Sequence, residues 1–209
     1  MKLKLCGFKK IEDINFAFNA GVDFIGLNNI SISKRYIHAG EILTLLSSLS
    51  EDRKAKIVPL LNYYDEDFVT ELKTQAVVYI QSYLDDKDDR KLLDKGFKLI
   101  KPFQVANNDD LEEITKLDLS FYDYLLLDTK HEDALGGTGE SFDWQLFTAL
   151  KSCVDKELIL AGGLHRSNIK EAIDKTSASF IDIASGVEDA NANKSFSLIK
   201  EIVTLVKAH

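Results

Sequence analysis

Short apolar, β-prone runs alternate with helical patterns from one end of this chain to the other, and that rhythm limits the available folds more than any single motif. The pattern predicts strands over about 2–6, 22–27, 56–61, 76–80, 97–100, 122–127, 157–161 and 179–183. Helices are predicted from about 11, 39 and 65, over about 85–95, near 108–118, from about 143 and near 166–175. A last helix carries Phe196, Ile199, Ile202, Val203 and Val206 at helical spacing. In the first helix Ile11, Ile14, Ala17 and Phe18 share a face, and Gly21 supplies the stop. Eight strand–helix units in 209 residues leave about 26 residues per unit, near the lower end of what a (β/α)8 barrel requires. No linker fits into that arithmetic, so residues 1–209 are expected to form an α/β protein, a single-domain (β/α)8 TIM barrel. A doubly wound sheet would need fewer strands and usually a glycine-rich first turn. Runs such as Tyr124-Leu125-Leu126-Leu127 and Leu158-Ile159-Leu160 suit parallel strands covered on both faces.

Composition narrows the function classes by exclusion. With 26 basic and 34 acidic side chains the net charge is −8, and no lysine or arginine run exceeds a dipeptide, which argues against a nucleic-acid partner. No apolar run approaches the roughly 18–20 residues of a membrane span, and Met1-Lys2-Leu3-Lys4-Leu5-Cys6-Gly7 alternates too strictly for a signal peptide. The two cysteines, Cys6 and Cys153, stand far apart, as expected of a cytoplasmic protein with reduced thiols. Histidines at 38, 131, 165 and 209 are too scattered for a zinc motif, so no metal is expected. Neither a P-loop nor a dinucleotide fingerprint is present.

In such a barrel, chemistry belongs just beyond the carboxyl ends of the strands. Cys6 ends the first strand and Asp128 the sixth, Gly162-Gly163 follow the seventh, and Ser185-Gly186 follow the eighth. Singly, a cysteine there reads as a small buried hydrophobe and an aspartate as a turn residue or helix cap. Together they converge on one rim. Glycines after the seventh and eighth strands let backbone approach a ligand, at the place where barrels hold phosphate monoesters. Gly7, Gly21, Gly26 and Gly40 read as turns and helix ends. Gly136-Gly137-Thr138-Gly139 reads equally well as a flexible loop or as a loop that closes over a substrate.

Several motifs in order along the chain now carry a family resemblance. Lys4-Leu5-Cys6-Gly7, Ser33-Lys34-Arg35-Tyr36-Ile37, Leu126-Leu127-Asp128-Thr129-Lys130, Gly136 to Trp144, Leu160-Ala161-Gly162-Gly163-Leu164 and Asp182 to Glu188 resemble phosphoribosylanthranilate isomerase, an enzyme of tryptophan biosynthesis. The resemblance spans almost the whole chain. It implies a cofactor-free barrel that performs an Amadori rearrangement, an aldose–ketose isomerisation of N-(5-phospho-β-D-ribosyl)anthranilate. It further implies Asp128 as general acid, Cys6 as general base, Arg35 as partner of the anthranilate carboxylate, and Gly162, Gly163, Ser185 and Gly186 as phosphate ligands. Asp182 matches a family position and is expected to play a supporting part.

The roles carried over require opposed shifts: a thiol of pKa about 8.5 must be activated by positive potential, and an aspartic acid of about 3.9 must keep its proton. Three departures accompany the match. Phe8, Lys9 and Lys10 follow Cys6-Gly7 in place of the usual residues, Asn28 and Asn29 replace a phenylalanine-rich segment, and Gln81 stands where the family carries histidine. Glutamine can hydrogen-bond substrate but cannot lend a charge to a thiolate. Two other readings stay open at this point: a barrel isomerase for a related phosphorylated aminosugar, and a non-catalytic sugar-phosphate-binding homologue. The expected partner is a small phosphorylated molecule, and the expected assembly a monomer or homodimer. Its anionic charge calls for a barrel mouth more positive than the chain average, through Arg35 and through Lys9 or Lys10.

Overall fold

The computed structural model describes residues 1–129 and 143–209. The Gly136 to Gly139 segment and Lys130 lie outside the described residues. Eight parallel strands, β1 (Lys2–Cys6), β2 (Phe24–Asn28), β3 (Ile57–Leu61), β4 (Tyr79–Ser82), β5 (Lys98–Val105), β6 (Tyr124–Thr129), β7 (Glu157–Leu160) and β8 (Phe180–Ile183), pair in chain order. β1 then pairs with β8 and closes the barrel. The helices are α1 (Ile11–Ala20), α2 (Ala39–Ser47), α3 (Glu51–Lys54), α4 (Glu66–Thr74), α5 (Asp86–Asp94), α6 (Asn108–Thr115), α7 (Trp144–Cys153), α8 (Ile169–Thr176) and α9 (Phe196–Lys207). Among the described residues no helix is long and apolar enough to cross a membrane.

Local chemistry sets these boundaries. Asp65, Asp85, Asn107, Asp143 and Ser195 cap α4, α5, α6, α7 and α9, each side chain accepting a hydrogen bond from a first-turn amide. Gly21 ends α1 in the left-handed region (φ 104°), its amide turned back on Ala17 and Phe18. One strand lies later than the apolar run suggests. Ala76 sits at φ 60°, and the amides of Ala76 and Val77 bond back to Lys73 and Leu72, so the run at 76–78 begins as the end of α4 and β4 starts at Tyr79. The short α3 leaves no trace in the hydrophobic pattern, because its four charged residues carry no apolar period.

Outward residues of the strands, such as Leu5, Leu27, Leu99 and Leu127, pack against the helices in the main core. Inward residues stack in tiers supplied by alternate strands, the usual filling of such barrels. The lowest tier is aromatic: Phe24, Tyr79, Tyr124 and Phe180 contact one another with centroid distances of 5.4–6.0 Å. Above it sit Val58, Ile100 and Ile159, with Lys4 in the position β1 supplies. The next tier is Gly26, Gln81, Leu126 and Asp182, and on it opens the mouth. Phe180 is 1% exposed and touches two other rings of the floor. Phe180→Ala should therefore cost about 3–5 kcal/mol, read as a lower urea midpoint with unchanged slope.

Candidate active site

Two adjoining depressions open at the carboxyl ends of the strands, of about 420 and 310 Å³. The first is lined by Cys6, Asn28, Ser33, Arg35, Leu60, Gln81, Tyr83, Leu126, Asp128, Asp182 and Ala184. The second is lined by Gly162, Gly163, Leu164 and Ser185, and shares Asp128, Asp182 and Ala184 with the first. Cys6, Arg35, Gln81 and Asp128 thus face one cavity, and Gly162, Gly163 and Ser185 face the next. Gly186 lies beside the second cavity rather than in its wall: a Cβ there would come within 2.1 Å of the Leu164 carbonyl oxygen. Its lack of a side chain lets the turn after β8 press against the turn after β7. Gly162 and Gly163 have φ of 85° and 59°, a backbone that favours glycine. Asn168 holds that turn, donating to the Gly163 carbonyl at 2.9 Å and accepting from the His165 amide at 2.8 Å.

Gly26 is not a turn residue. It lies in β2 facing inward, and a Cβ on it would stand 2.6 Å from Cys6 Sγ. The missing side chain is the space the thiol occupies. Gly7, at φ 86°, similarly yields to the Arg35 shaft, whose Cδ would be 2.3 Å from a Cβ. The two asparagines that depart from the family pattern shape the loop carrying Arg35. Asn28 accepts from the Ile30 amide and donates to Ser33 Oγ, which in turn accepts from the Arg35 amide, while Asn29 donates to the Ile37 carbonyl. Lys9 reaches the same loop, donating to the Lys34 carbonyl at 2.9 Å.

The charges of the mouth are interleaved rather than simply positive. Lys4, fully buried two residues below Cys6 on the same face of β1, lies 3.0 Å from Asp182, its rung partner on β8. Both groups are buried, so the pair is held as an ion pair inside the barrel, with Cys6 as the next polar neighbour of Lys4. Burial works against the Lys4 charge, but Asp182 and Cys6 hold its pKa above the ordinary lysine value. Arg35 gives its Nε and Nη2 to the two oxygens of Glu188, each at 2.7 Å. Lys194, from the loop before α9, donates to Glu188 Oε1 at 2.8 Å, to the Cys6 carbonyl at 2.6 Å and to the Ala184 carbonyl at 3.1 Å. Burial alone would push the Glu188 carboxyl up, but Arg35 and Lys194 outweigh it and hold it below the ordinary value.

The thiol differs from the expectation of an activated cysteine. Burial pushes Cys6 above its ordinary value, Lys4, Lys194 and Arg35 pull it down, and Asp182 pushes it up again. Without ligand, desolvation wins, because Cys6 is only 6% exposed. Gln81 donates from Nε2 to Tyr83 Oη at 3.0 Å, and its buried Oε1 is unpartnered at the cavity wall. Lys4, Glu188, Lys194 and Tyr83 are additions to the residues foreseen. Period-two alternation could have marked Lys4, which must share the inward face of Cys6. No spacing rule connects Glu188 and Lys194 to β1. Among the described residues no cluster of His, Cys, Asp and Glu side chains could hold a metal.

Comparison with known proteins gives concordant matches. The family model described as N-(5'phosphoribosyl)anthranilate (PRA) isomerase matches residues 3–205. Among curated proteins, the chain is similar to N-(5'-phosphoribosyl)anthranilate isomerase of Petrotoga mobilis, with 30% identity over 208 residues, covering 100% of this chain and 98% of the relative. It is 32% identical over 214 residues to that of Aquifex aeolicus, covering 100% and 99%. Among solved structures, phosphoribosyl anthranilate isomerase from Thermotoga maritima superposes with a TM-score of 0.85 at 26% identity over 100% of both chains.

Removing Lys4 would leave Asp182, 8% exposed, without its partner. Lys4→Met should cost about 3–5 kcal/mol in urea unfolding, and adding Asp182→Asn should recover part of that loss. Glu188 adds a pH signature. With its folded pKa held below the unfolded one, its contribution is complete above the unfolded value and is lost as pH falls through the folded value. The stability gap between the wild type and Glu188→Gln should narrow in that acid window and stay flat above about pH 6.

Proposed function

The chain belongs to the N-(5'-phosphoribosyl)anthranilate isomerase family, and we propose that Cys6 and Asp128 are the base and acid of its reaction while Arg35 grips the substrate's carboxylate. The reaction is the Amadori rearrangement of phosphoribosylanthranilate in tryptophan biosynthesis, an aldose–ketose isomerisation. The observation that carries the assignment is the sharing of one cavity by Cys6, Arg35 and Asp128, joined through Asp128 to the glycine-walled depression after β7 and β8.

The chemistry needs a proton delivered at one atom and removed at another. Asp128 protonates the ribose ring oxygen, the C1–O bond breaks, and the anilino nitrogen takes up the positive charge as a Schiff base. The thiolate of Cys6 then removes the proton from C2, and the electron pair of that C–H bond becomes a C1–C2 double bond that neutralises the nitrogen. Ketonisation of this enol completes the product. The iminium adds a positive charge beside a thiol that Lys4, Lys194 and Arg35 already favour as thiolate, so bound substrate offsets the desolvation that dominates in the free protein.

The guanidinium of Arg35 has five N–H donors, of which Glu188 takes two along one edge. The Nη1 side keeps the geometry of a second fork for the anthranilate carboxylate. Gln81 Oε1 offers an acceptor for a substrate hydroxyl or the anilino N–H. The phosphate is assigned to the turn of Gly162 and Gly163 together with Ser185, which wall the second depression, and with Gly186 next to it, where the glycines let backbone approach a ligand. No cofactor enters this scheme. The same reading places the enzyme in the cytoplasm, where Cys6 and Cys153 remain free thiols, as a monomer or homodimer acting on a small phosphorylated molecule rather than on nucleic acid.

Freshly generated phosphoribosylanthranilate, followed by loss of its fluorescence, tests the assignment. Cys6→Ser and Asp128→Asn should each lower kcat by about 10²–10⁴ with the fold intact. Arg35→Met should act mainly on KM. Full activity in both the Cys6 and Asp128 variants would sink the assigned roles. Gly26→Ala should lower kcat by displacing Sγ, and Gln81→His measures what the glutamine costs.

A further inference from the structure

We propose that Lys194 is a positioning residue that binds the Cys6 end of β1 and the side chain of Arg35 into one unit. The proposal rests on the acid–base reading above and extends it to a residue outside the cavity wall. Its side chain is 3% exposed, and the three donors of its ammonium match three acceptors: the carbonyls of Cys6 and Ala184 and the carboxylate of Glu188. Two of those acceptors lie at or just past the ends of β1 and β8, the pair that closes the barrel. The third, Glu188 Oε1, is also held by Arg35 Nε, and Glu188 Oε2 by Arg35 Nη2. A single ammonium therefore links the backbone that carries the thiol to the carboxylate that aims the guanidinium. The Phe8 ring, 5.1 Å from Nζ, keeps it in place.

A buried strap made only for stability would be served as well by an apolar side chain, since desolvating an ammonium is costly. An ammonium does two things an apolar group cannot. It carries positive charge to the thiol, and it donates to the same oxygen of Glu188 that Arg35 Nε uses, fixing that carboxylate from a second side. The charged and titratable groups that face Cys6 are Lys4 on β1, Asp182 on β8, Arg35 on the loop after β2, Tyr83 after β4, Asp128 on β6, and Lys194 with its partner Glu188. Lys4 and Asp182 pair with each other, and Glu188 is shared by Arg35 and Lys194.

The test is Lys194→Met in a Cys153→Ser background, where Cys6 is the one thiol left. Iodoacetamide alkylation against pH should show the Cys6 titration moved up by about one unit. Steady-state kinetics should show kcat reduced about tenfold or more and KM raised, the cost of a misplaced base and a loosened Arg35. Glu188→Gln keeps the two carbonyl contacts of Lys194 and should raise KM while moving the thiol titration down, opposite to Lys194→Met. A folded Lys194→Met with wild-type thiol titration and wild-type kcat and KM overturns the proposal. If Lys194→Met does not fold, unchanged KM and unchanged titration in Glu188→Gln overturn it instead. Activity that survives Cys6→Ser would defeat the acid–base reading, whereas the alkylation profile reports on Lys194 whatever reaction the site performs.

Discussion

The ladder between β1 and β8 closes the sheet, and the site is built directly on its rungs. Lys4 faces Asp182 across one rung, buried where the neighbouring positions of the tier are Val58, Ile100 and Ile159. Two residues above, Cys6 ends β1, and just beyond β8 the chain passes Ala184 and turns through Ser185–Val187 to Glu188. Lys194 returns to fasten both strand ends. A pair of charges inside an apolar barrel is a poor source of stability. Its position directly beneath the thiol gives it an electrostatic role that Val58 or Ile159 could not fill.

The charges around the cavity are paired: Lys4 stands against Asp182, and Arg35 and Lys194 share Glu188. An anionic substrate entering such a site meets cations already oriented by acidic partners, so little reorganisation is left for the moment of reaction. A net charge of −8 over the chain therefore says little about the field at the mouth. Lys9, an expected contributor, is instead tied to backbone of the loop that carries Arg35.

The alternation of runs made the barrel legible, because parallel strands buried on both faces and amphipathic helices have different periods. It failed locally at β4, where Val77 and Val78 look like strand but follow the left-handed Ala76. That Cys6 and Asp128 share one rim follows from the strand-end rule independently of any family, and motif resemblance adds Arg35, which lines the same cavity. The direction of the Cys6 shift was not legible, since it is a contest between desolvation and four neighbouring charges that only coordinates can weigh. Glu188 and Lys194 were not, because their meaning lies in contacts to residues far away in the chain. Gly26 reads as a turn residue in the sequence, yet it lies inside β2. A glycine inside a strand is informative only once its neighbour across the ladder is known to be Cys6.

Among the described residues, the aromatic floor of Phe24, Tyr79, Tyr124 and Phe180 fills the barrel at the end opposite the mouth. On the proposed reading, a hydrogen lifted from substrate carbon by Cys6 finds the packed floor below it; it returns to the ligand or trades places with solvent through the opening that admitted the ligand. Isotope washout from the reacting carbon, set against turnover, would then measure how freely that hydrogen trades with solvent through the mouth.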